Sequence, residues 1–146
     1  MSEASLIRPG ALRLLGGPGV VVTPRRGAAA PGRGLVLRYR AVERLGEFLE
    51  TPVPQLMRVI DINERTAQRR REQGALTADE SDRLARVARV TDRAVDAFGD
   101  AEQARTWLQR PNRALQGAVP IGLLGTDAGA ELVTDELGRI DYGDLY

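Results

Sequence analysis

The segment from Glu64 to Gln73 is crowded with arginine and glutamine side chains, and Ala67 is its only apolar residue. Arginine pairs with guanine edges or with phosphates, and glutamine can address adenine, so this composition suits DNA. We predict base-edge contacts for Arg65, Gln68 and Arg69, and phosphate contacts for Thr66, Arg70 and Arg71. The alternative is a solvated helix whose arginines meet only the neighbouring acids, Glu64 and Glu72.

The other chemically distinctive segment is the end of the chain, Asp141-Tyr142-Gly143-Asp144-Leu145-Tyr146. Tyrosine and aspartate side chains can fill a cleft while they hydrogen bond to its polar lining. A frayed terminus is the alternative that the residues by themselves favour.

The chain contains neither histidine nor cysteine. This removes the commonest general base, the thiolate nucleophile and the usual ligands of transition metals. The glycine-rich run Leu15-Gly16-Gly17-Pro18-Gly19 lacks the lysine and the strand-to-helix context of a phosphate-binding loop. We therefore expect no enzyme activity, no cofactor and no metal, although a carboxylate pair could still do chemistry.

The net charge of +1 conceals two halves of opposite sign. Residues 1 to 76 carry 13 Arg and 7 acids, giving +6, whereas residues 77 to 146 carry 8 Arg and 13 acids, giving −5. A basic first half favours a polyanionic partner, and an acidic second half favours a cationic one. Compositional chance is the alternative.

Three short helices are predicted to position the arginine-rich segment. Apolar residues at helical spacing mark two of them, at Val42, Leu45 and Leu49 and at Val53, Leu56, Met57 and Ile60. Asn63 is a suitable N-cap for the third, which runs from Glu64 to Gln73 and ends at Gly74. Two short helices around a tight turn are typical of a helix-turn-helix, although Asp61 holds the turn position where glycine is usual.

The second half is also predicted to be helical. Thr77 and Glu80 form a capping box that opens the longest helix, Asp100 caps the next one, and Thr126 precedes the last. In the last helix Ala130, Val133, Leu137 and Ile140 should pack inward, whereas Glu131, Asp135, Glu136 and Arg139 should face outward. Trp107 is interpreted as a core residue, with an interface anchor as the alternative.

Residues 1 to 34 are rich in Gly, Pro, Ala and Arg, and we expect mostly irregular structure there. The run Val20-Val21-Val22-Thr23 could form a short strand, and Arg25, Arg26 and Arg33 could form a basic arm along DNA. No apolar run is long enough to span a membrane, so a soluble, cytoplasmic protein is expected.

The wider C-terminal pattern resembles the toxin-binding domain of Xre/MbcA/ParS antitoxins from about Leu76 to the end. It includes Phe98-Gly99-Asp100, Trp107-Leu108, Pro111-Asn112, Leu115, Pro120-Ile121, Thr126, Gly129, Val133, Leu137-Gly138 and Tyr142-Gly143. The resemblance implies a RES-domain toxin that destroys NAD as partner, with a C-terminal segment that occludes the toxin's active site. The residues implied are Tyr142, Gly143, Asp144, Leu145 and Tyr146, and Asp135 and Arg139 could extend the contact.

The sequence thus predicts an all-α protein with an irregular leader (1–34), an Xre-like helix-turn-helix domain (35–76) and a small helical toxin-binding domain (77–146). Its expected role is that of a type II antitoxin that neutralises its toxin and represses its own operon. A homodimer is expected, because one helix-turn-helix unit rarely buries enough surface for specific operator binding. A transcriptional repressor without a toxin partner is the alternative.

Overall fold

The computed structural model describes residues 7–22 and 34–143. The regular elements within these ranges are helices. The α-helices are α1 (Pro9–Leu14), α2 (Arg40–Leu49), α3 (Val53–Val59), α4 (Glu64–Gln73), α5 (Ala78–Phe98), α6 (Ala101–Leu108) and α7 (Asp127–Asp141). Short 3-10 turns lie at Pro18–Val20, Arg113–Leu115 and Pro120–Leu123. Within the described ranges, β-structure is limited to isolated bridges. The predicted all-α class, a helix-turn-helix followed by a helical C-terminal domain, is confirmed.

The leader differs from the mostly irregular structure expected of it, because residues 9–14 form α1. Pro9 occupies the first helical turn, where its missing N–H is no loss. Ile7, Leu12 and Leu15 are buried, and α1 packs against α5 and α2. These buried apolar residues attach α1 to the core. The Gly and Pro content of the leader had suggested irregular structure instead. Arg25, Arg26 and Arg33 lie outside the described residues.

Of the β-branched run Val20-Val21-Val22-Thr23, the structure describes the three valines, and the chain becomes extended at Val21. Thr23 lies outside the described residues. Val20 closes a 3-10 turn, and Val21 forms an antiparallel bridge with Leu37. The bridge is extended by hydrogen bonds from the Val22 N–H to the Val36 carbonyl, at 2.8 Å, and from the Arg38 N–H to the Val20 carbonyl, at 2.7 Å. This pairing ties the N-terminal segment to the chain just before α2.

Helices α2, α3 and α4 form the helix-turn-helix. Asp61 adopts the left-handed conformation that the tight turn requires, with φ of 59°. The turn is a Schellman motif: the Asp61 N–H donates to the Arg58 carbonyl and the Ile62 N–H to the Met57 carbonyl, at 3.1 and 2.9 Å. Aspartate therefore does here what glycine usually does, because it tolerates this conformation better than most residues.

The 21-residue helix α5 is the common support of the whole molecule. It begins with the predicted capping box of Thr77 and Glu80, and Leu84 and Val87 are fully buried in one continuous core. Its Arg83 donates to the Ile60 carbonyl at the end of α3, at 2.8 Å. Its Arg86 reaches the carbonyls that precede α7. One helix thereby fixes both the helix-turn-helix and the last helix.

Trp107 of α6 is partly buried, and its ring packs against Phe98 at a centroid distance of 5.9 Å. Its buried indole N–H has no hydrogen-bond partner among the described residues. This packing supports the core interpretation of Trp107. None of the helices in the described ranges combines the length and apolarity that crossing a membrane requires.

Candidate nucleic-acid and protein-binding surfaces

Helix α4 is held at its ends and along one narrow edge. The Asn63 side chain accepts a hydrogen bond from the Thr66 N–H at 2.8 Å, as predicted for an N-cap. At the other end Gly74 takes the left-handed conformation, with φ of 77°. No side chain of α4 is fully buried, and Ala67 packs only partly against the core. The remaining surface of the helix, which carries Arg65, Gln68, Arg69 and Arg71, is exposed and available for contacts.

Most of the predicted DNA-contacting side chains lie on the surface of α4, and one does not. Arg65, Gln68, Arg69 and Arg71 are exposed, and Thr66 is half-buried. Gln68 donates to the Glu72 carboxylate at 3.2 Å, one turn further along the helix. The structure thus displays four long polar side chains on one short helix, and their contact with DNA stays a prediction.

The exception is Arg70, which lies against α5 instead of facing solvent. Its guanidinium holds the Glu80 carboxylate in a two-pronged ion pair, with Nε–Oε1 at 2.6 Å and Nη2–Oε2 at 3.2 Å. Both side chains are largely buried. Burial alone would raise the pKa of Glu80, but hydrogen bonds from Arg70 and Thr77 hold it below its usual value. Arg70 therefore anchors α4 and is not free for the phosphate contact predicted for it.

Helix α7 is fixed along its whole length by a buried face. Thr126 caps it by accepting from the Gly129 N–H at 3.1 Å. Ala130, Val133 and Leu137 are buried, as the sequence predicted. Gly129 is required because a Cβ there would collide with the Leu123 carbonyl of the preceding 3-10 turn. This close approach sets the angle at which α7 leaves the turn.

The opposite face of α7 is a solvent-exposed stripe. We define the α7 stripe as the residues Ala128, Leu132, Asp135, Arg139 and Tyr142, which recur at three- and four-residue spacing and are all exposed. It contains the predicted toxin-binding residues Asp135, Arg139 and Tyr142. Sequence reasoning did not single out Leu132, although this spacing relative to Asp135 and Arg139 could have identified it.

Glu136 corrects one detail of the predicted outward face. Its side chain is only 2% exposed, and its carboxylate accepts from Arg139 at 3.1 Å. Glu136 follows Val133 by three residues, so it lies on the buried side of the helix. Its charge had suggested the exposed side.

The end of α7 is tied to α5 by an ion pair between Arg93 and Asp141, at 3.0 Å. Tyr142 follows at once and is 85% exposed, and Gly143 is in the left-handed conformation with φ of 73°. The chain therefore leaves the helical body at a defined point. The other predicted toxin-binding residues, Asp144, Leu145 and Tyr146, lie outside the described residues.

These features define a helical protein with two parts. The first is a helix-turn-helix whose second helix, α4, is rich in exposed arginine, and the second is a helical domain whose last helix, α7, has an exposed acidic face. Residues 29–89 match the antitoxin Xre-like helix-turn-helix domain, and residues 93–143 match the antitoxin Xre/MbcA/ParS C-terminal toxin-binding domain. The two matched regions meet within α5.

Curated relatives agree with these matches. Antitoxin Xre of Yersinia enterocolitica is 42% identical over 104 residues, which cover 70% of each chain. Antitoxin Xre of Photorhabdus laumondii is 43% identical over 90 residues, 60% of this chain and 61% of the relative. Antitoxin Xre of Pseudomonas putida is 41% identical over 68 residues, covering 47% and 43% respectively. The chain belongs to the Xre antitoxin family.

Proposed function

We propose that this protein is a type II antitoxin that neutralises a RES-domain toxin through its C-terminal domain and represses its own operon through its helix-turn-helix. One observation carries the proposal: a single helix, α5, supports both α4, which exposes cationic side chains, and α7, which exposes acidic side chains. A protein with both surfaces is suited to hold DNA and a basic protein at the same time.

The operator would be read by α4 from the major groove. Arg65, Gln68 and Arg69 face base edges, and Thr66 and Arg71 meet phosphates. Arg70 is left out because its Nε and Nη2 atoms already bond to the Glu80 carboxylate. The repressor acts as a homodimer, since two half-sites supply the contact area that one unit lacks.

The toxin would be blocked by the segment Tyr142, Gly143, Asp144, Leu145 and Tyr146. The Arg93–Asp141 ion pair fixes the residue just before this segment, and Tyr142 is exposed and accessible to a partner. The cleft of an enzyme that degrades NAD must accommodate the phosphates of the dinucleotide, so we expect it to present basic groups. An acidic, aromatic segment matches such a cleft in charge and shape.

Neutralisation is tested by co-expressing the neighbouring gene with the full chain or with the chain cut after Asp141, while growth and intracellular NAD are followed. Protection by the full chain alone, with the complex still formed by the shortened chain, supports the occluding segment. Equal protection by both chains places inhibition on the helical body. Protection by neither favours a repressor without a toxin partner.

Operator binding is tested with DNA from upstream of the gene. Replacing Arg65 and Arg69 together by alanine should weaken binding at least about 30-fold, because each guanidinium on a base edge contributes about 1–3 kcal/mol of discrimination. Arg89 of α5 is an exposed arginine outside α4 and serves as the control. Equal losses for the double variant and for Arg89→Ala would contradict base reading by α4. Neutralisation of the toxin should survive both changes.

A further inference from the structure

We propose that Leu132 is the hydrophobic anchor by which α7 docks onto the toxin, and that this docking is separable from inhibition by the C-terminal segment. The inference rests on the proposed function, because it names the contact through which that same partner is held. The expected complement is an apolar pocket on the toxin ringed by arginine or lysine.

The first support is the exposure of Leu132. Among the described residues, the large hydrophobic side chains that stand exposed are Leu132, at 56%, and Tyr142, at 85%. Both belong to the α7 stripe, ten residues apart, which is about 15 Å along the helix axis. Single exposed apolar residues are ordinary, but in the described part of the chain both exposed large hydrophobic residues lie along this one stripe.

The second support is the charge around Leu132. The other acids of α7 have arginine partners: Asp127 is paired with Arg86 at 2.7 Å, and Asp141 and Glu136 are paired with Arg93 and Arg139.

Glu131 and Asp135, by contrast, are exposed and form no ion pair within the described ranges. They stand one residue before and three residues after Leu132, so two uncompensated carboxylates flank the exposed leucine. A partner that buries Leu132 must accommodate both charges, and a cationic rim does so.

A second copy of this chain is a poorer occupant of the stripe. Pairing α7 with α7 would bring the free carboxylates of Glu131 and Asp135 from both copies into one interface, where like charges repel. The exposed face of a 15-residue helix is also only about 22 Å long and about 10 Å wide, which gives roughly 220 Å², much less than the roughly 800 Å² per partner of a stable interface. Docking onto the toxin is not limited to this face, because the proposed function adds the C-terminal segment to the contact.

Separation of the two roles follows from geometry. A chain cut after Asp141 keeps Leu132 and both carboxylates, so it should still bind while it no longer inhibits. A change at Leu132 leaves the C-terminal segment intact but removes the contact that presents it. Affinity should then fall on the order of 30- to 100-fold, as for the loss of a central hot-spot residue.

The test uses the purified full chain and the purified product of the neighbouring toxin gene. Kd and inhibition of NAD degradation are measured for the full chain, for Leu132→Glu, and for the chain cut after Asp141. Thr134→Glu is the matched control, because Thr134 is exposed on α7, lies off the stripe and gains the same charge. Circular dichroism and thermal melting confirm that each variant is folded.

The expected result is a large loss of affinity for Leu132→Glu only, and a loss of inhibition without a comparable loss of binding for the shortened chain. Equal affinity of Leu132→Glu and Thr134→Glu would overturn the anchor. A dimer that dissociates only in Leu132→Glu would also overturn it and would assign the stripe to a second copy. If the unaltered chain binds no toxin, the proposed function itself fails, and that outcome is distinct from the other two.

Discussion

Helices α4 and α7 carry the two proposed surfaces, but the fold holds them in different ways. α4 has no fully buried side chain and is fixed by its caps and by the Arg70–Glu80 pair. α7 is fixed by a continuous buried face, and only its other side is exposed. A helix held by its ends and by one narrow edge can present side chains over most of its surface, as a groove reader needs. A helix held by one face presents a single stripe, as protein docking needs.

The largest expected effect comes from removing part of the buried face of α7. Leu137 is fully buried, so Leu137→Ala should lower the free energy of unfolding by about 3 kcal/mol, from lost burial and the cavity left behind. Urea denaturation with one cooperative transition measures this. Leu132→Ala on the exposed stripe is the control and should change stability very little. If the two variants were equally stable, the division of α7 into a core face and a free face would be wrong.

The next effect concerns the ion pair that holds α4. Arg70→Ala should lower the free energy of unfolding by about 2 kcal/mol, because the buried Glu80 carboxylate loses its partner. The neighbouring Arg71→Ala is the control: Arg71 is exposed and should matter to DNA affinity and hardly to stability. A larger stability loss for Arg71→Ala than for Arg70→Ala would contradict the different roles that the structure gives these two arginines.

The same pair predicts a pH dependence. The pKa of Glu80 in the folded protein is lowered below its usual value of 4.5, so the pair's contribution is fully present above that value. The contribution is lost as the pH falls through the lowered pKa. In Arg70→Ala the lowering of the Glu80 pKa by Arg70 is lost. The stability of this variant should therefore fall less on acidification. The stability gap between the two proteins should therefore be constant at neutral pH and narrow as the pH falls below 4.5 in denaturation experiments. A gap that stays constant below pH 4.5 would contradict this linkage.

Local signals in the sequence predicted much of both helices. Asn63, Gly74, Thr77 and Glu80 act through bonds to residues a few positions away, and such caps can be recognised without knowing the fold. The long-range partner of Arg70 could not be recognised, because an arginine in a basic run has the same local pattern whether it faces DNA or a carboxylate on another helix.

Two further features were hidden for related reasons. Helix α1 is stabilised by burial of Leu12 and Leu15 beside α5. The glycines and prolines around these residues had suggested irregular structure. Leu132 lies outside the inward spacing of α7, so its spacing could have placed it on the outer face, but the sequence does not show whether another element covers that face. Both depend on which surfaces the rest of the molecule leaves open.

The smallest effect tests whether α4 depends on its ends. Asn63→Ala removes the side chain that accepts from the Thr66 N–H and should lower the free energy of unfolding by about 1 kcal/mol. Asn112 makes the equivalent bond to the Ala114 N–H, at 2.9 Å, before a 3-10 turn in the C-terminal domain, so Asn112→Ala is a matched control.

Because α4 has no buried face to hold its first turn, amide exchange at Thr66 and Ala67 should accelerate in Asn63→Ala beyond what the global loss explains. The Asn112 variant should leave those two amides unchanged relative to the rest of the chain. Operator affinity should also fall, because Arg65 lies in the first turn of α4, which becomes less ordered in this variant. If Asn63→Ala instead lost stability uniformly, without local exchange at α4, the helix would be held by its narrow edge at Ala67, and the contrast with α7 would be one of degree.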